Sequence, residues 1–368
     1  MIWNSTGDEN VIEDFHALEP YSLSKTEKQA MLLRTMQELT EWHRYHCVPY
    51  QRFLDAIGYA PSAVKTLEDV PFLPIRAFKE LHMKSIPDDS VFKVMMSSGT
   101  SGQKQSKIYL DRETAVLQQK VLLRLLGNFI GNRRMPMLVI DSDAMIRDRR
   151  NFTTRGATIM GLEFAAKRMI FALDEDMKLK VDVLDDFIQT YGNDQFIIFG
   201  FTFMVWQHLF QRLREIGRTA DLSNGYLLTA GGWKKLVNLN ISNKDFKETG
   251  REVCGITHYV DHYGMAEQTG CIYAECEYGH LHASIYSDVI IRRYADFSPC
   301  SIGEKGFIQL LSSLPHSYPG HSILTEDEGI IEGADDCPCG RKGKYIRILG
   351  RVKQAEIRGC SDTYGARV

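Results

Sequence analysis

The stretch Ser97-Ser98-Gly99-Thr100-Ser101-Gly102 decides how the rest of this chain is interpreted. Residues 92–96 and 108–110 flank it with the apolar composition of strands, and Lys104 and Lys107 follow closely. Glycine lets the backbone bring its N–H groups to an anion, and the hydroxyls and lysines add donors and positive charge. The stretch therefore predicts a phosphate-binding hairpin, with a polar surface hairpin that binds no phosphate as the alternative. Neither G-x-x-x-x-G-K-[ST] nor G-x-G-x-x-G is present.

Four further motifs follow the hairpin in a fixed order. They are Thr229-Ala230-Gly231-Gly232, Tyr263-Gly264-Met265-Ala266-Glu267, Thr325-Glu326-Asp327 and Gly350-Arg351. In this order and at this spacing, the five motifs resemble those of the acyl-adenylate-forming enzymes. The resemblance implies a phosphate loop, an adenine-side segment, an acidic residue for the ribose and a hinge.

Composition fits a large enzyme with a sizeable core. The chain has 368 residues, of which 44% are hydrophobic, and its formal net charge is −3. A weakly negative charge gives no attraction to nucleic acid or anionic membranes. We find no signal peptide and no apolar run long enough for a membrane span, and eight cysteines do not make a disulfide scaffold in a chain this long. The expected location is cytoplasmic.

The order of predicted elements favours an α/β fold. Ser24-Lys25-Thr26-Glu27 is a capping box that predicts a helix. Apolar runs at 137–140, 196–199 and 226–228 predict buried parallel strands, with helical patterns over 177–191 and 203–216. Alternating stretches at 287–294 and 305–311 predict a smaller β-rich subdomain.

These patterns divide the chain into four parts. We expect an N-terminal helical segment at 1–60, an α/β adenylate-forming core of mixed sheets flanked by helices at 61–283, a β-rich subdomain at 284–349 and a hinge-like tail at 350–368.

The C-terminal sequence narrows the family. Residues 336–341 read D-C-P-C-G-R, and residues 348–362 contain G-R, I-R-G and R-G-C-S-D. The C-P-C-G motif, followed by G-R and I-R-G, resembles the phenylacetate-CoA ligase branch. The R-G-C-S-D ending, together with residues 72–76 and 318–327, resembles the LuxE family of acyl-protein synthetases. The resemblance covers roughly residues 65 to 364.

The LuxE resemblance implies a two-step reaction and a set of partners. The chain would form acyl-AMP from ATP, Mg²⁺ and a carboxylic acid, expected to be a fatty acid, and then acylate its own Cys360. A LuxC-like, NADPH-dependent acyl reductase would collect the acyl group for aldehyde formation, as in bacterial luminescence. The usual lid domain beyond Gly350-Arg351 is expected to be absent. Arg358 lies close enough in sequence to favour the Cys360 thiolate. The sequence leaves open whether the protein forms a homo-oligomer.

The resemblance also implies individual roles. Cys360 would accept the acyl group, Glu267 would bind Mg²⁺, and Arg351 would donate to the ribose or phosphate. Either Lys104 or Lys107 would meet the phosphates. The remaining nucleotide-binding residues would be Ser97, Ser98, Gly99, Thr100, Ser101, Gly102, Gly231, Gly232, Tyr263, Gly264, Met265 and Asp327.

A second group of residues has the composition of a structural metal site. Cys276 and His282 precede a Cys337-x-Cys339 pair, and the related ligase branch carries similar elements that assemble a zinc site. One histidine and three cysteines suit tetrahedral Zn²⁺, with His280 competing with His282 as the ligand. Reduced cysteines without a metal are the alternative.

Two other functions stay open at this point. A CoA ligase of the phenylacetate type would release AMP only with CoA. A non-catalytic nucleotide-binding scaffold would bind nucleotide without acid-dependent release of pyrophosphate.

Overall fold

The structure is a computed structural model, and it describes residues 18–97, 105–147, 154–231, 239 and 241–352. Its strands are β1 Leu73–Pro74, β2 Lys93–Met96, β3 Lys107–Leu110, β4 Met135–Ser142, β5 Ala166–Leu173, β6 Phe196–Phe201, β7 Gly225–Ala230, β8 His258–Tyr263, β9 Tyr273–Glu275, β10 Leu281–His282, β11 Ser287–Arg292, β12 Gly306–Ser312, β13 Ser322–Ala334 and β14 Lys344–Arg351.

The α-helices are α1 Lys25–His46, α2 Val48–Ala56, α3 Ala77–Glu80, α4 Arg112–Ile130, α5 Ala144–Arg147, α6 Thr154–Gly161, α7 Val181–Tyr191, α8 Thr202–Met204, α9 Arg212–Glu215 and α10 Asn243–Cys254. A π-helical segment, Val205–Gln211, joins α8 to α9. No helix of the described ranges is long and apolar enough to cross a membrane.

A twelve-stranded sheet organises most of the described residues, and β2 and β3 form a separate two-stranded sheet. The order of the larger sheet is β11-β12-β13-β14-β10-β9-β8-β7-β6-β4-β5, and β1 pairs with β13. Strands β5, β4, β6, β7 and β8 pair in parallel. The strands from β9 to β14 pair antiparallel with one another, and β1 pairs in parallel with β13. The α/β fold predicted from the sequence is confirmed. The sheet continues without a break across residue 283, and the four predicted parts of the chain stay a prediction.

The parallel strands are apolar because both of their faces are covered. Every residue of β6 is buried, as is the predicted run at 137–140 in β4. These strands lie in the largest hydrophobic cluster, together with buried residues of α1, α4 and α7. Burial on both faces explains the continuous apolar runs that the sequence shows.

The N-terminal helix begins where its capping box predicts. The Ser24 side chain accepts a hydrogen bond from the Glu27 backbone N–H, and the Glu27 carboxylate accepts one from the Ser24 backbone N–H. These reciprocal bonds satisfy N–H groups that a helix start leaves unpaired. Buried Leu32, Met36 and Leu39 then pack this helix against the main core.

Candidate active site

Strands β13 and β14 bring two of the predicted nucleotide-binding residues together. Their register places Asp327 directly opposite Arg351, and Arg351 Nε lies 3.3 Å from Asp327 Oδ1. The Tyr263 hydroxyl, at the end of β8, donates to Asp327 Oδ2 at 2.8 Å. Burial, and secondarily the Asp327 carboxylate, raise the pKa of Tyr263 well above its usual value, so the phenol stays a donor. Three distant segments thus meet at one carboxylate.

Glu267 is a buried carboxylate in a short 3₁₀ turn, Ala266–Gln268. Burial raises its pKa, while the charges of Lys79 and Arg351 act in the opposite direction. Glu267 forms no salt bridge with any residue in the described part of the chain. A buried carboxylate without a paired cation is costly, so this group fits a bound divalent ion that prefers oxygen ligands.

The loop before β13 holds the Glu267 backbone in place, and sequence analysis assigned it no role. The Tyr318 hydroxyl donates to the Glu267 carbonyl oxygen at 2.9 Å and accepts from Gln118 Nε2 at 3.2 Å. Gln268 Nε2 donates to the Gly320 carbonyl at 2.8 Å. A Cβ at Gly320 would lie 2.3 Å from the Tyr318 ring and 2.8 Å from the Glu267 carbonyl oxygen, so only glycine allows this approach.

The base of the predicted phosphate hairpin lies beside Glu267. Strands β2 and β3 pair antiparallel, with Met96 opposite Lys107, whose side chain is exposed. Beyond them, Ser97 N–H donates to the Ser106 carbonyl, and Ser106 N–H donates to Ser97 Oγ at 2.9 Å. The Ser106 hydroxyl lies close enough to Glu267 to lower the pKa of its carboxyl group against the larger effect of burial. The predicted residues Ser98, Gly99, Thr100, Ser101, Gly102 and Lys104 lie outside the described residues.

The adenine-side glycines follow the carboxyl end of β7. Gly231 has φ +90°, and a Cβ there would lie 3.1 Å from the Phe201 ring. Both facts favour glycine at this position. Strand pairing matches Thr229 with Asp261, and Gly231 and Tyr263 each follow two residues later in the chain. A Cβ at Gly264 would make only ordinary contact with Ile272, and the Met265 side chain is partly buried.

Two further predicted site residues, Gly232 and Cys360, lie outside the described residues.

The four predicted metal ligands come together at the other end of β14. The ligand atoms of Cys276, His282, Cys337 and Cys339 all lie within 4.8 Å of one another. Cys276 follows β9, His282 ends β10, and the Cys337–Cys339 pair lies between β13 and β14. Tight turns, closed by Gly279 N–H to the Cys276 carbonyl and Gly340 N–H to the Cys337 carbonyl, point the thiols inward.

The chemistry of this cluster fits a structural zinc ion. Burial lowers the pKa of His282 to about 4, which keeps the imidazole in the neutral form that binds metals. His280 Nδ1 lies 3.1 Å from Cys337 Sγ, but its ring stacks on Tyr345 and it is not among the four converging ligands. One nitrogen and three sulfurs would fill a tetrahedral site and leave no position for substrate. Zinc binding itself stays a prediction.

Comparison with known proteins gives one family and several relatives. The family described as "Acyl-protein synthetase, LuxE" matches residues 4–368. The long-chain-fatty-acid–luciferin-component ligase of Vibrio harveyi is 24% identical over an alignment of 366 positions, and the match covers 93% of this chain and 89% of that protein.

Solved structures of 2-hydroxyisobutyryl-CoA ligase share the fold. An open conformation in complex with 2-HIB-AMP and CoA is 18% identical, has a TM-score of 0.71 and covers 92% of this chain and 78% of its own. The same ligase in its thioesterification state has a TM-score of 0.70 at 18% identity. The match covers 91% of this chain and 70% of the ligase chain.

Proposed function

The chain belongs to the LuxE family of acyl-protein synthetases, and from this premise we propose that it activates a fatty acid as acyl-AMP and transfers the acyl group to Cys360. Family membership makes the protein an acyl-activating, AMP-forming ligase. The identity of the acid, the acceptor thiol and the role of each residue are parts of the proposal.

The observation that carries the proposal is the meeting of Asp327, Arg351, Tyr263 and Glu267 beside the hairpin base. In the proposed complex, Asp327 accepts hydrogen bonds from the ribose hydroxyls, and Arg351 donates to the ribose or the phosphates. The adenine stacks on the aromatic ring of Tyr263 and lies against Gly231, which has no side chain to obstruct it. Glu267 would hold Mg²⁺, and the bound ion would neutralise phosphate charge.

The first chemical step is the attack of the substrate carboxylate on the α-phosphorus of ATP. A bond forms between the carboxylate oxygen and phosphorus, and pyrophosphate leaves with the electron pair of the broken P–O bond. Because this step mostly redistributes negative charge, positioned cations and backbone donors supply its stabilisation. Ser97–Gly102, with Lys104 or Lys107, provide these donors in our proposal.

The second step is the attack of the Cys360 thiolate on the acyl carbon, with AMP as the leaving group. The described chain ends beside the nucleotide site, where Val352 N–H donates to the Glu326 carbonyl at 3.1 Å. Eight further residues span at most about 26–29 Å when fully extended. Cys360 can therefore reach an adenylate bound at Asp327 within one chain. The thioester divides the transfer into two easier steps.

The onward acceptor is a separate protein in this proposal. The Vibrio harveyi relative is named a luciferin-component ligase. By analogy, a LuxC-like reductase would take the acyl group from Cys360 and reduce it with NADPH to an aldehyde, in luminescence or in another aldehyde pathway.

The proposal for the first step is tested by acid-dependent exchange of labelled pyrophosphate into ATP, with a panel of fatty and aromatic acids. We expect exchange with a fatty acid and at least a tenfold loss in Glu267→Gln. Glu215→Gln, an exposed residue at the end of α9, is the matched control and should behave as wild type. Nucleotide binding without exchange for any acid would favour the scaffold. Multiple turnovers of AMP release that require CoA would favour the CoA ligase.

A further inference from the structure

A cavity of about 320 Å³ lies at the far end of β14 from the nucleotide site. Its lining combines apolar and polar residues. The apolar ones include Ile290, Ile291, Ile302, Ile331 and Cys300, and the polar ones are Lys25, Glu68, Ser301 and Lys344. Lys344 is the first residue of β14 and Arg351 is the last. Seven steps of about 3.3 Å separate them by roughly 23 Å. The cavity is therefore a separate place from the site proposed above.

Lys344 belongs to a buried cluster in which two ammonium groups share one carboxylate. Its Nζ donates to Asp288 Oδ2 at 2.9 Å and to the Val289 carbonyl at 2.8 Å. Lys28 Nζ lies 3.3 Å from Asp288 Oδ1 and donates to the Ser284 and Ser287 carbonyls. The side chains of all three charged residues are at most 4% exposed.

The hydrogen bonds of Lys344 leave one of its three donors without an acceptor among the described residues. An ammonium group has three N–H donors, and Lys344 uses two of them within the described part of the chain. Asp335, a further acidic residue that acts on Lys28, accepts backbone N–H groups of Lys25 and Gly343. Lys25 and Glu68, which also line the cavity, carry opposite charges. A buried N–H without an acceptor costs free energy, and a ligand oxygen would satisfy it.

We propose that this cavity binds a small amphiphilic monocarboxylate, with its carboxylate on Lys344 Nζ and its alkyl chain along the isoleucine walls. The walls favour an alkyl chain over a fully hydrated anion such as phosphate, because burying apolar surface is favourable and stripping water from a dianion is costly. Binding is non-covalent, and the size of the cavity suits a short acid. The site extends beyond the proposed function and does not rest on it.

Cys300 supplies a readout that belongs to this cavity alone. Its thiol is partly exposed and lines the cavity, so a bound ligand should slow its alkylation. The experiment measures the alkylation rate of Cys300 in the full chain by peptide mass spectrometry, without ATP. Hexanoate is the probe, with 1-hexanol and inorganic phosphate as comparisons. We expect hexanoate to slow the reaction at least threefold and saturably, and the two comparisons to leave it unchanged.

Two variants separate the site from a general effect of the acid. Lys344→Met keeps the length of the side chain and leaves Lys28 paired with Asp288; we expect at least tenfold more hexanoate to be needed for half-protection. Ile302→Trp fills the mouth from an exposed position without touching the cluster, and should abolish protection by hexanoate. Equal protection by phosphate or 1-hexanol, no protection of wild type, or unchanged protection in both variants would each overturn the proposal.

Discussion

Replacing Gly320 by alanine should damage the active site through the position of Glu267. The added Cβ would lie 2.3 Å from the Tyr318 ring and 2.8 Å from the Glu267 carbonyl oxygen, whereas ordinary contacts begin near 3.4 Å. Tyr318 is fully buried, and its hydroxyl is hydrogen-bonded on both sides, to Gln118 and to Glu267. One group must therefore move by roughly 1 Å.

Two magnitudes follow from this displacement. Overpacking of a buried site costs about 1–3 kcal/mol of unfolding free energy. A misplacement of about 1 Å at a catalytic group lowers the rate by up to ~100-fold. We expect Gly320→Ala to fold with a lowered thermal midpoint and to lose about 10- to 100-fold of its acid-dependent pyrophosphate exchange.

The assay compares this variant with Gly161→Ala under identical conditions. Nothing lies within 4 Å of a Cβ at Gly161, which ends α6, so this control should keep full activity and stability. Wild-type exchange in Gly320→Ala would refute the reasoning, whether or not the thermal midpoint falls. That result would mean that the Tyr318–Glu267 contact does not position the carboxylate.

Three further predictions concern the nucleotide, the pH and the metal. Tyr263→Phe removes the 2.8 Å hydrogen bond to Asp327, and we expect the KM for ATP in steady-state kinetics to rise about tenfold, since such a bond contributes ~1.5–3 kcal/mol; an unchanged KM would contradict this. Burial lowers the pKa of His321 to about 3 and that of His262 to about 4. Below pH ~6.5 these two histidines are therefore protonated only in the unfolded chain. Between pH 8 and pH 5, protonation of each one should lower the free energy of unfolding by about 2 kcal/mol. Urea denaturation checks this, and a flat pH dependence would contradict it. Elemental analysis should find one zinc per chain, and Cys337→Ser should lose it and lower the thermal midpoint; zinc retained in the variant would count against the site.

The sequence predicts those parts of the fold that local patterns control. The capping box at Ser24 and the apolar runs of β4, β6 and β7 each depend on neighbouring residues, and the structure confirms them. The convergence of Cys276 with Cys337 was also expected, although only because the family motifs implied it.

Long-range pairing produces the contacts that local sequence patterns do not specify. Asp327 lies opposite Arg351 because of the register of β13 and β14, which no local pattern specifies. The contact of Tyr318 with Glu267 joins residues 51 positions apart. Local sequence patterns also do not predict the burial of Lys28 in α1, since the Asp288 beside it comes from a distant strand. Such contacts depend on how strands and loops pack in three dimensions.

Self-acylation of Cys360 is the central claim, and intact-protein mass spectrometry tests it most directly. The protein is incubated with ATP, Mg²⁺ and the preferred acid, and wild type is compared with Cys360→Ala and with Cys300→Ala as the matched cysteine control. We expect one hydroxylamine-sensitive acyl adduct in wild type and in Cys300→Ala, and none in Cys360→Ala. An adduct that persists in Cys360→Ala, or no adduct in a protein that still exchanges pyrophosphate, would contradict the account.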